Sequence, residues 1–197
     1  STVQINARHT MKVFMERFAG ILFQMGVVNA HGFMRAVFQL NLDMTGADNR
    51  RALEARLARL VAAFGRSHTP ASLILLDLDN FKSVNDQHGH AVGDQILKRL
   101  TQIIELRIRV TDSLYRIGGE EFVVVVDGER LDTSLSLAEQ LRALIENNEL
   151  APNSKVTISL GVAELTDGET FAQWMSRADT ALYDAKRAGR NNVKHAA

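Results

Sequence analysis

A short apolar run that ends in carboxylates constrains the fold of this chain more than any other feature. Residues 72–77 read SLILLD, and Asp79 follows two positions later. Four to eight consecutive apolar residues between polar flanks are typical of a buried strand. The run therefore predicts a central strand, with a polar cluster where the strand ends.

The segments around this strand predict the rest of the sheet and its covering helices. Apolar residues recur at three- and four-residue steps in four segments after residue 49, which indicates four amphipathic helices. Residues 113–117 and 121–126 flank Gly118-Gly119 and predict a β-hairpin, in which we expect positive φ angles at the glycine pair. Residues 155–163 predict a further strand. The order predicts an α/β (α+β) sandwich: a mixed or antiparallel sheet of about five strands, with helices on its faces and the hairpin at its centre.

Charge and composition exclude several classes of protein. Lys plus Arg and Asp plus Glu both total 23, so a formal net charge of zero and the lack of a basic stripe argue against a nucleic-acid binder. The absence of cysteine excludes disulfides, thiolate catalysis and Cys-ligated zinc, and it is consistent with the cytoplasm. No run of 18 apolar residues and no secretory signal occur, so we expect no membrane span in this chain, although a longer parent protein would be free to carry one.

The first 41 residues differ from the remainder. Residues 1–40 hold five of the nine Phe and four of the six Met, at helical spacing. Two interpretations stay open: helices that pack on the domain, or an arm that dimerises the chain or relays a signal from an upstream sensor module. We therefore divide the chain into a helical extension, residues 1–41, and a catalytic domain, residues 42–197.

Two acidic clusters carry the candidate chemistry. Asp77 and Asp79 end the predicted central strand, where ligand sites tend to collect, and Lys82 adds a charge suited to phosphate. Glu120 and Glu121 follow the hairpin glycines, and crowded carboxylates are costly unless a cation neutralises them. Alone, the aspartate cluster is equally consistent with a polar turn, and the glutamate cluster favours a plain solvated hairpin tip. Together, on neighbouring strands, they indicate a metal centre for phosphoryl or nucleotidyl transfer.

Several ordered motifs resemble the GGDEF family of diguanylate cyclases over residues 42–193. The central one is GGEEF at 118–122. The others are LDLDNFK at 76–82, the ND, GH and GD pairs at 85–86, 89–90 and 93–94, ADTALYDAK at 178–186, GRN at 189–191, and the TG and NR pairs at 45–46 and 49–50. The opening element departs from the family pattern, because Leu42-Asp43-Met44 replaces its usual acid and proline. The fold implied is that of nucleotidyl cyclases and polymerase palms.

The resemblance implies an enzyme that condenses two GTP molecules into cyclic di-GMP and releases two pyrophosphates. It implies Mg²⁺ or Mn²⁺ held by Asp77, the Leu78 carbonyl, Glu120 and Glu121, with Glu120 as the base for the ribose hydroxyl. Each domain would hold one GTP, so the active species would be a two-fold dimer.

The resemblance also assigns residues that bind nucleotide. Asn85 and Asp94 would recognise guanine, and His90 would lie near the nucleotide. The phosphate contacts it implies are Lys82, Arg116, Lys186 and Arg190.

The string Arg109-Val110-Thr111-Asp112 lies at the spacing of the family's product-inhibition site. Arg109 and Asp112 would bind cyclic di-GMP there. A further family arginine is replaced by Gln140, with Arg142 nearby, which predicts weaker product binding.

Other functions fit parts of the pattern. A catalytically silent receptor for cyclic di-GMP or GTP would usually lose Asp77 or the GGEEF string, and this chain keeps both. A different nucleotidyl cyclase or a polymerase-like palm would share the metal chemistry but not the pair Asn85 and Asp94.

Overall fold

The structure is a computed structural model that describes residues 46–151 and 155–196, so the predicted extension, residues 1–41, lies outside the described residues. The helices are α1 (Gly46–Ser67), α2 (Phe81–His88), α3 (His90–Arg107), α4 (Leu131–Asn147) and α5 (Phe171–Arg187). The strands are β1 (Ala71–Leu78), β2 (Ser113–Arg116), β3 (Glu121–Asp127), β4 (Ile158–Glu164) and β5 (Val193–His195). Within these ranges no helix has the length and apolarity needed to cross a membrane.

The strands form one five-stranded sheet in the order β2-β3-β1-β4-β5. Strand β1 pairs antiparallel with β3 and β4, whereas β5 runs parallel to β4. The mixed sheet and the central position of β1 are therefore confirmed. The prediction that the hairpin occupies the centre was wrong: β1 has all eight residues buried and takes a neighbour on each edge, which leaves the β2–β3 hairpin on one side.

The core has two layers, one on each face of the sheet. Along β1, Ile74, Leu76 and Leu78 point to the layer formed with α3 and α4, while Leu73 and Leu75 point to the layer formed with α1 and α5. This alternation is the two-residue period of a strand, and it is compatible with an unbroken apolar run because both faces are covered. Burial of each such side chain contributes roughly 1.5–3 kcal/mol relative to exposure.

Two elements were not predicted from the sequence. Helix α2 buries only Phe81, so its eight residues carry no apolar stripe. Gly89, with a φ of 83°, separates α2 from α3. Strand β5 has three residues, too few for a recognisable pattern. The predicted strand 155–163 begins instead at Ile158.

Candidate active site at the end of strand β1

The structure brings the two predicted acidic clusters together. Asp77 and Glu121 are direct cross-strand partners in the antiparallel pairing of β1 with β3. The amide of Leu78 donates to the carbonyl of Glu120 at 3.4 Å, so Glu120 lies beside the same strand end. Asp77 is 6% exposed, whereas Glu121 is exposed and Glu120 half-buried. One carboxylate is thus fixed by burial, and two more accessible carboxylates lie near it.

Lys186 compensates part of the charge on Asp77. Its ammonium nitrogen lies 3.0 Å from Asp77 Oδ2. Burial nevertheless raises the pKa of the Asp77 carboxyl above its ordinary value, Lys186 opposes that rise, and the charges of Glu120 and Glu121 add to it. The site therefore holds more negative charge than its single ammonium neutralises.

The donor chemistry of this cluster fits a divalent cation. Within the described residues, no three His, Cys, Asp or Glu side chains already converge on a point that could hold an ion. However, Asp77, Glu120 and Glu121 offer only hard oxygen ligands, as Mg²⁺ prefers, in a region of excess negative charge. Rotation of the surface glutamates toward Asp77 would complete such a set.

The glycine turn beside these acids differs from its prediction. The positive-φ residues of the described chain do not include Gly118 or Gly119, so the expected left-handed pair was wrong. The connection is longer than two residues, since the Ile117 amide donates to the Glu121 carbonyl at 2.9 Å. A Cβ atom at Gly118 would lie 2.3 Å from Glu121 Oε2, so any larger residue there would displace the end of that side chain. The glutamate side chain folds over the glycine.

Arg116 holds this turn. Its guanidinium donates to the Gly118 carbonyl at 3.2 Å and to the Gly119 carbonyl at 2.7 Å, and it stacks 6.0 Å from the centre of the Phe122 ring. Arg116 therefore fixes the backbone that carries the glutamates.

The predicted guanine pair lies where α2 meets α3. Asn85 Oδ1 is buried without a hydrogen-bond partner, and a Cβ atom at Gly93 would lie 1.9 Å from it. Gly93 thus makes room for the Asn85 side chain, and the neighbouring Asp94 is exposed. Lys82 and His90 are also exposed, at the starts of the two helices.

Asp79 has a role that the sequence pattern did not reveal. Strand β1 ends at Leu78, so Asp79 does not share a strand face with Asp77. Its carboxylate is 5% exposed and accepts hydrogen bonds from Ser159 and Thr157, at 2.6 and 2.7 Å, and from the Asn191 amide at 3.0 Å. Asp77 and Asp79, expected together at the strand end, therefore face different partners. The one available signal was two hydroxyl residues at alternate positions, Thr157 and Ser159.

The Arg109–Asp112 segment forms a second polar site at the other end of the hairpin. Asp112 is 5% exposed and accepts from the amides of Arg109, at 2.9 Å, and Asp127, at 3.3 Å. Burial raises the pKa of Asp112 above its ordinary value. The guanidinium of Arg109 is ion-paired with Glu129, and Arg107 donates to Gln140. A cavity of about 260 Å³ lies here, and its polar lining is Arg107, Arg109, Asp112, Thr133, Ser136 and Gln140.

Comparisons with known proteins identify a family that matches most of this chain. Residues 42–192 match the family model described as "Diguanylate cyclase, GGDEF domain". The diguanylate cyclase DgcS of Shewanella oneidensis is 40% identical over 169 residues, 85% of this chain but 57% of DgcS, so this chain spans a little over half of that relative's length.

Solved structures show the same fold. The active GGEEF domain of a diguanylate cyclase from Vibrio cholerae matches with a TM-score of 0.72 and 36% identity, over 75% of this chain and 96% of that one. The GGDEF domain of DgcB from Caulobacter crescentus, solved in complex with c-di-GMP, matches with a TM-score of 0.71 and 33% identity, over 74% and 89%. This chain belongs to the GGDEF-domain family of diguanylate cyclases.

Proposed function

We propose that this chain is a diguanylate cyclase, which condenses two GTP molecules into cyclic di-GMP and releases two pyrophosphates. The observation that carries the proposal is the cross-strand pairing of buried Asp77 with Glu121, beside the ammonium of Lys186. Such a group of acids with one compensating cation is suited to nucleotidyl transfer on a metal-bound triphosphate.

The chemistry divides between the acidic residues. The 3′-hydroxyl oxygen of each GTP forms a bond to the α-phosphorus of the other, and the bond from that phosphorus to pyrophosphate breaks. We assign Glu120, half-buried beside the strand end, to accept the hydroxyl proton. Mg²⁺ or Mn²⁺, held by Asp77, the Leu78 carbonyl, Glu120 and Glu121, would neutralise triphosphate charge and lower the pKa of the attacking hydroxyl.

We assign base selection to the junction of α2 and α3. Guanine presents an N1–H and an N2 amino group, and the exposed carboxylate of Asp94 would accept from both. The unpartnered Asn85 oxygen beside it offers a further acceptor. Adenine lacks this donor pair and would leave Asp94 unpaired, which disfavours ATP.

We assign phosphate binding to Lys82, Lys186 and Arg190, of which Lys82 and Arg190 are exposed. Lys186 also screens Asp77 from the approaching triphosphate. Arg116 would act on the substrate only through the glycine turn that it holds.

The reaction also sets the assembly that we propose. One domain has one such strand end, and each GTP supplies both a nucleophile and an electrophile, so two domains would face each other across a two-fold axis. Residues 42–197 would form the catalytic domain in the cytoplasm, and residues 1–41 would pair the chains or relay a signal from an upstream sensor. Cyclic di-GMP bound near Arg109 and Asp112 would slow turnover.

Incubation of the purified chain with GTP and Mg²⁺, followed by chromatography and mass spectrometry, tests the proposal. We expect cyclic di-GMP and pyrophosphate in a ratio of one to two, and loss of both in Asp77→Ala and Glu121→Gln. Glu54→Gln, which changes an exposed glutamate on α1, is the matched control and should stay active. Intact GTP in a folded, concentrated sample that binds cyclic di-GMP would instead indicate a receptor.

A further inference from the structure

The turn that follows α5 has an unusual backbone conformation. Gly189, Arg190 and Asn191 have φ angles of 109°, 65° and 42°. Consecutive non-glycine residues seldom adopt positive φ, because the Cβ atom crowds the carbonyl oxygen. The Arg190 amide donates to the Ala185 carbonyl at 3.2 Å, but that bond alone ties the turn only to its own helix. Contacts from outside the helix are needed to select this conformation.

Asp79 supplies the first of these contacts. One of its carboxylate oxygens accepts from the Asn191 amide and from Thr157, and the other accepts from Ser159. The Asp79 amide donates to the Thr157 carbonyl at 2.9 Å. This buried carboxylate therefore joins the end of β1, the start of β4 and the turn after α5.

The Asn191 side chain supplies the second contact. Its Oδ1 atom accepts from Arg142 Nη1 at 2.8 Å, and its Nδ2 atom donates to Glu146 Oε1 at 2.7 Å. Arg142 also pairs with Glu146 at 2.8 Å, and its side chain is only 17% exposed. The turn is thus held against α4 as well as against β1.

These contacts join the two chain segments that carry the proposed triphosphate site. Asp77 lies two residues before Asp79, and Arg190 directly precedes Asn191. The ion pair between Lys186 and Asp77 bridges the same two segments. The Asp79–Asn191 brace, defined as these two residues, the hydrogen bond between them and the side-chain contacts of Asn191 with α4, therefore sets where Arg190 stands relative to the Asp77 carboxylate.

We propose that Asp79 and Asn191 are positioning residues for GTP, which act on the triphosphate through Arg190. The inference rests on the proposed function, because it assigns Arg190 to the phosphates. Both carboxylate oxygens of Asp79 and both polar side-chain atoms of Asn191 already have partners within the fold, so the two residues can act without touching the substrate.

A double-mutant cycle on nucleotide binding tests the proposal. The probe is α,β-methylene-GTP with Mg²⁺, which cannot release pyrophosphate, measured by isothermal titration calorimetry. Arg190→Ala and Asn191→Gly should each weaken binding by about tenfold, the value of one lost charge-assisted contact. The double variant should bind no more weakly than Arg190→Ala alone. Glycine is chosen at 191 because it removes the side-chain contacts with α4 and tolerates the positive φ.

Two further variants keep the result interpretable. Asp79→Asn retains the shape of the side chain and one acceptor oxygen, so it should weaken binding less than Asp79→Ala does. Arg177→Ala breaks an ion pair with Glu169 near the opposite end of α5, and should lower the melting temperature without changing affinity for the probe.

Independent effects of Arg190→Ala and Asn191→Gly would overturn the proposal, as would full affinity in Asn191→Gly. Formation of cyclic di-GMP by the unmodified chain is assayed separately. If the unmodified chain forms no cyclic di-GMP but the two variants still have non-additive effects on probe affinity, the proposed function is rejected and the positioning role is kept.

Discussion

Lys186 on α5 and Asp77 on β1 form an ion pair of 3.0 Å beside the acidic turn. The side chain of Lys186 is 34% exposed, whereas that of Asp77 is 9% exposed. The pair therefore lies at the boundary between core and solvent, and the charge state of Asp77 depends on it.

Removal of Lys186 should shift the acid limb of the activity profile. Lys186 lowers the pKa of Asp77 against the effect of burial, so Lys186→Met should raise that pKa further. The midpoint at which kcat/KM falls on acidification should then move to higher pH, with a loss of roughly tenfold in kcat/KM at neutral pH.

Arg187→Met is the matched control for this shift, because the Arg187 guanidinium lies over the Tyr183 ring and not against Asp77. Its profile should keep the midpoint of the unmodified chain. An unmoved midpoint in Lys186→Met would show that Asp77 does not govern the acid limb.

Asp77→Asn should stabilise the fold while abolishing turnover. Because the folded state raises the pKa of Asp77, the folded chain binds this proton more tightly than the unfolded chain does. Stability therefore falls as pH rises from the ordinary pKa of the carboxyl toward its raised value in the folded state, and the penalty is complete above that raised value. The variant should melt at a higher temperature at pH 7, and the difference should shrink toward pH 4.

Turnover in Asp77→Asn should fall by at least about 10²-fold, as expected for loss of a group that organises transition-state charge. Asp167→Asn, an exposed carboxylate in the β4–α5 loop, is the control and should show neither change. A lower melting temperature for Asp77→Asn at pH 7 would contradict the assignment of a burial penalty.

Gly93→Ala should impair guanine recognition. A Cβ atom at this position would lie 1.9 Å from Asn85 Oδ1, so the asparagine must move. We expect affinity for GTP to fall about tenfold, the cost of misplacing one polar partner, and the preference for GTP over ATP to narrow. Competition binding with both nucleotides measures this.

Gly65→Ala provides the comparison, because no atom lies within 4 Å of a Cβ added there in α1. It should stabilise the helix by about 0.4–1 kcal/mol and leave selectivity unchanged. If Gly93→Ala kept the preference of the unmodified chain for GTP over ATP, Asn85 would not contribute to base selection.

Glu129→Ala should strengthen product inhibition. Glu129 is ion-paired with the Arg109 guanidinium, and thus competes with any anion for it. The concentration of cyclic di-GMP that halves the initial rate should fall by about two- to fivefold, as expected for an exposed pair.

Arg109→Ala should raise the same half-inhibitory concentration, and the control Glu54→Ala should leave it unchanged. Equal inhibition of Glu129→Ala and the unmodified chain would show that Glu129 does not compete with the product.

The local pattern of apolar residues was sufficient to predict the mixed sheet covered by helices and the proximity of Asp77 to Glu121. The apolar run before Asp77 and the alternation before and after the glycine turn each reflect burial within a few residues of chain. Since β1 and β3 are both buried strands, their pairing brings Asp77 to Glu121.

Contacts between distant segments could not be predicted in this way. Asp79 finds Ser159 80 positions away and Asn191 112 positions away, and no spacing rule links them. The turn at Gly118 was mistaken for a left-handed pair, because a glycine beneath a neighbouring side chain looks the same in sequence as one with positive φ. The ion pair of Arg109 with Glu129 also joins residues that are distant in sequence, and it was not predicted.

Strand β3 begins at Glu121 and ends at Asp127, whose amide is bonded to Asp112. Seven strand residues span roughly 20 Å. A cyclic dinucleotide beside Arg109 would therefore lie a full strand length from GTP beside Asp77, too far to exclude it by contact. Feedback between the two ends would have to act by shifting how two domains face each other, or by tilting a rigid hairpin.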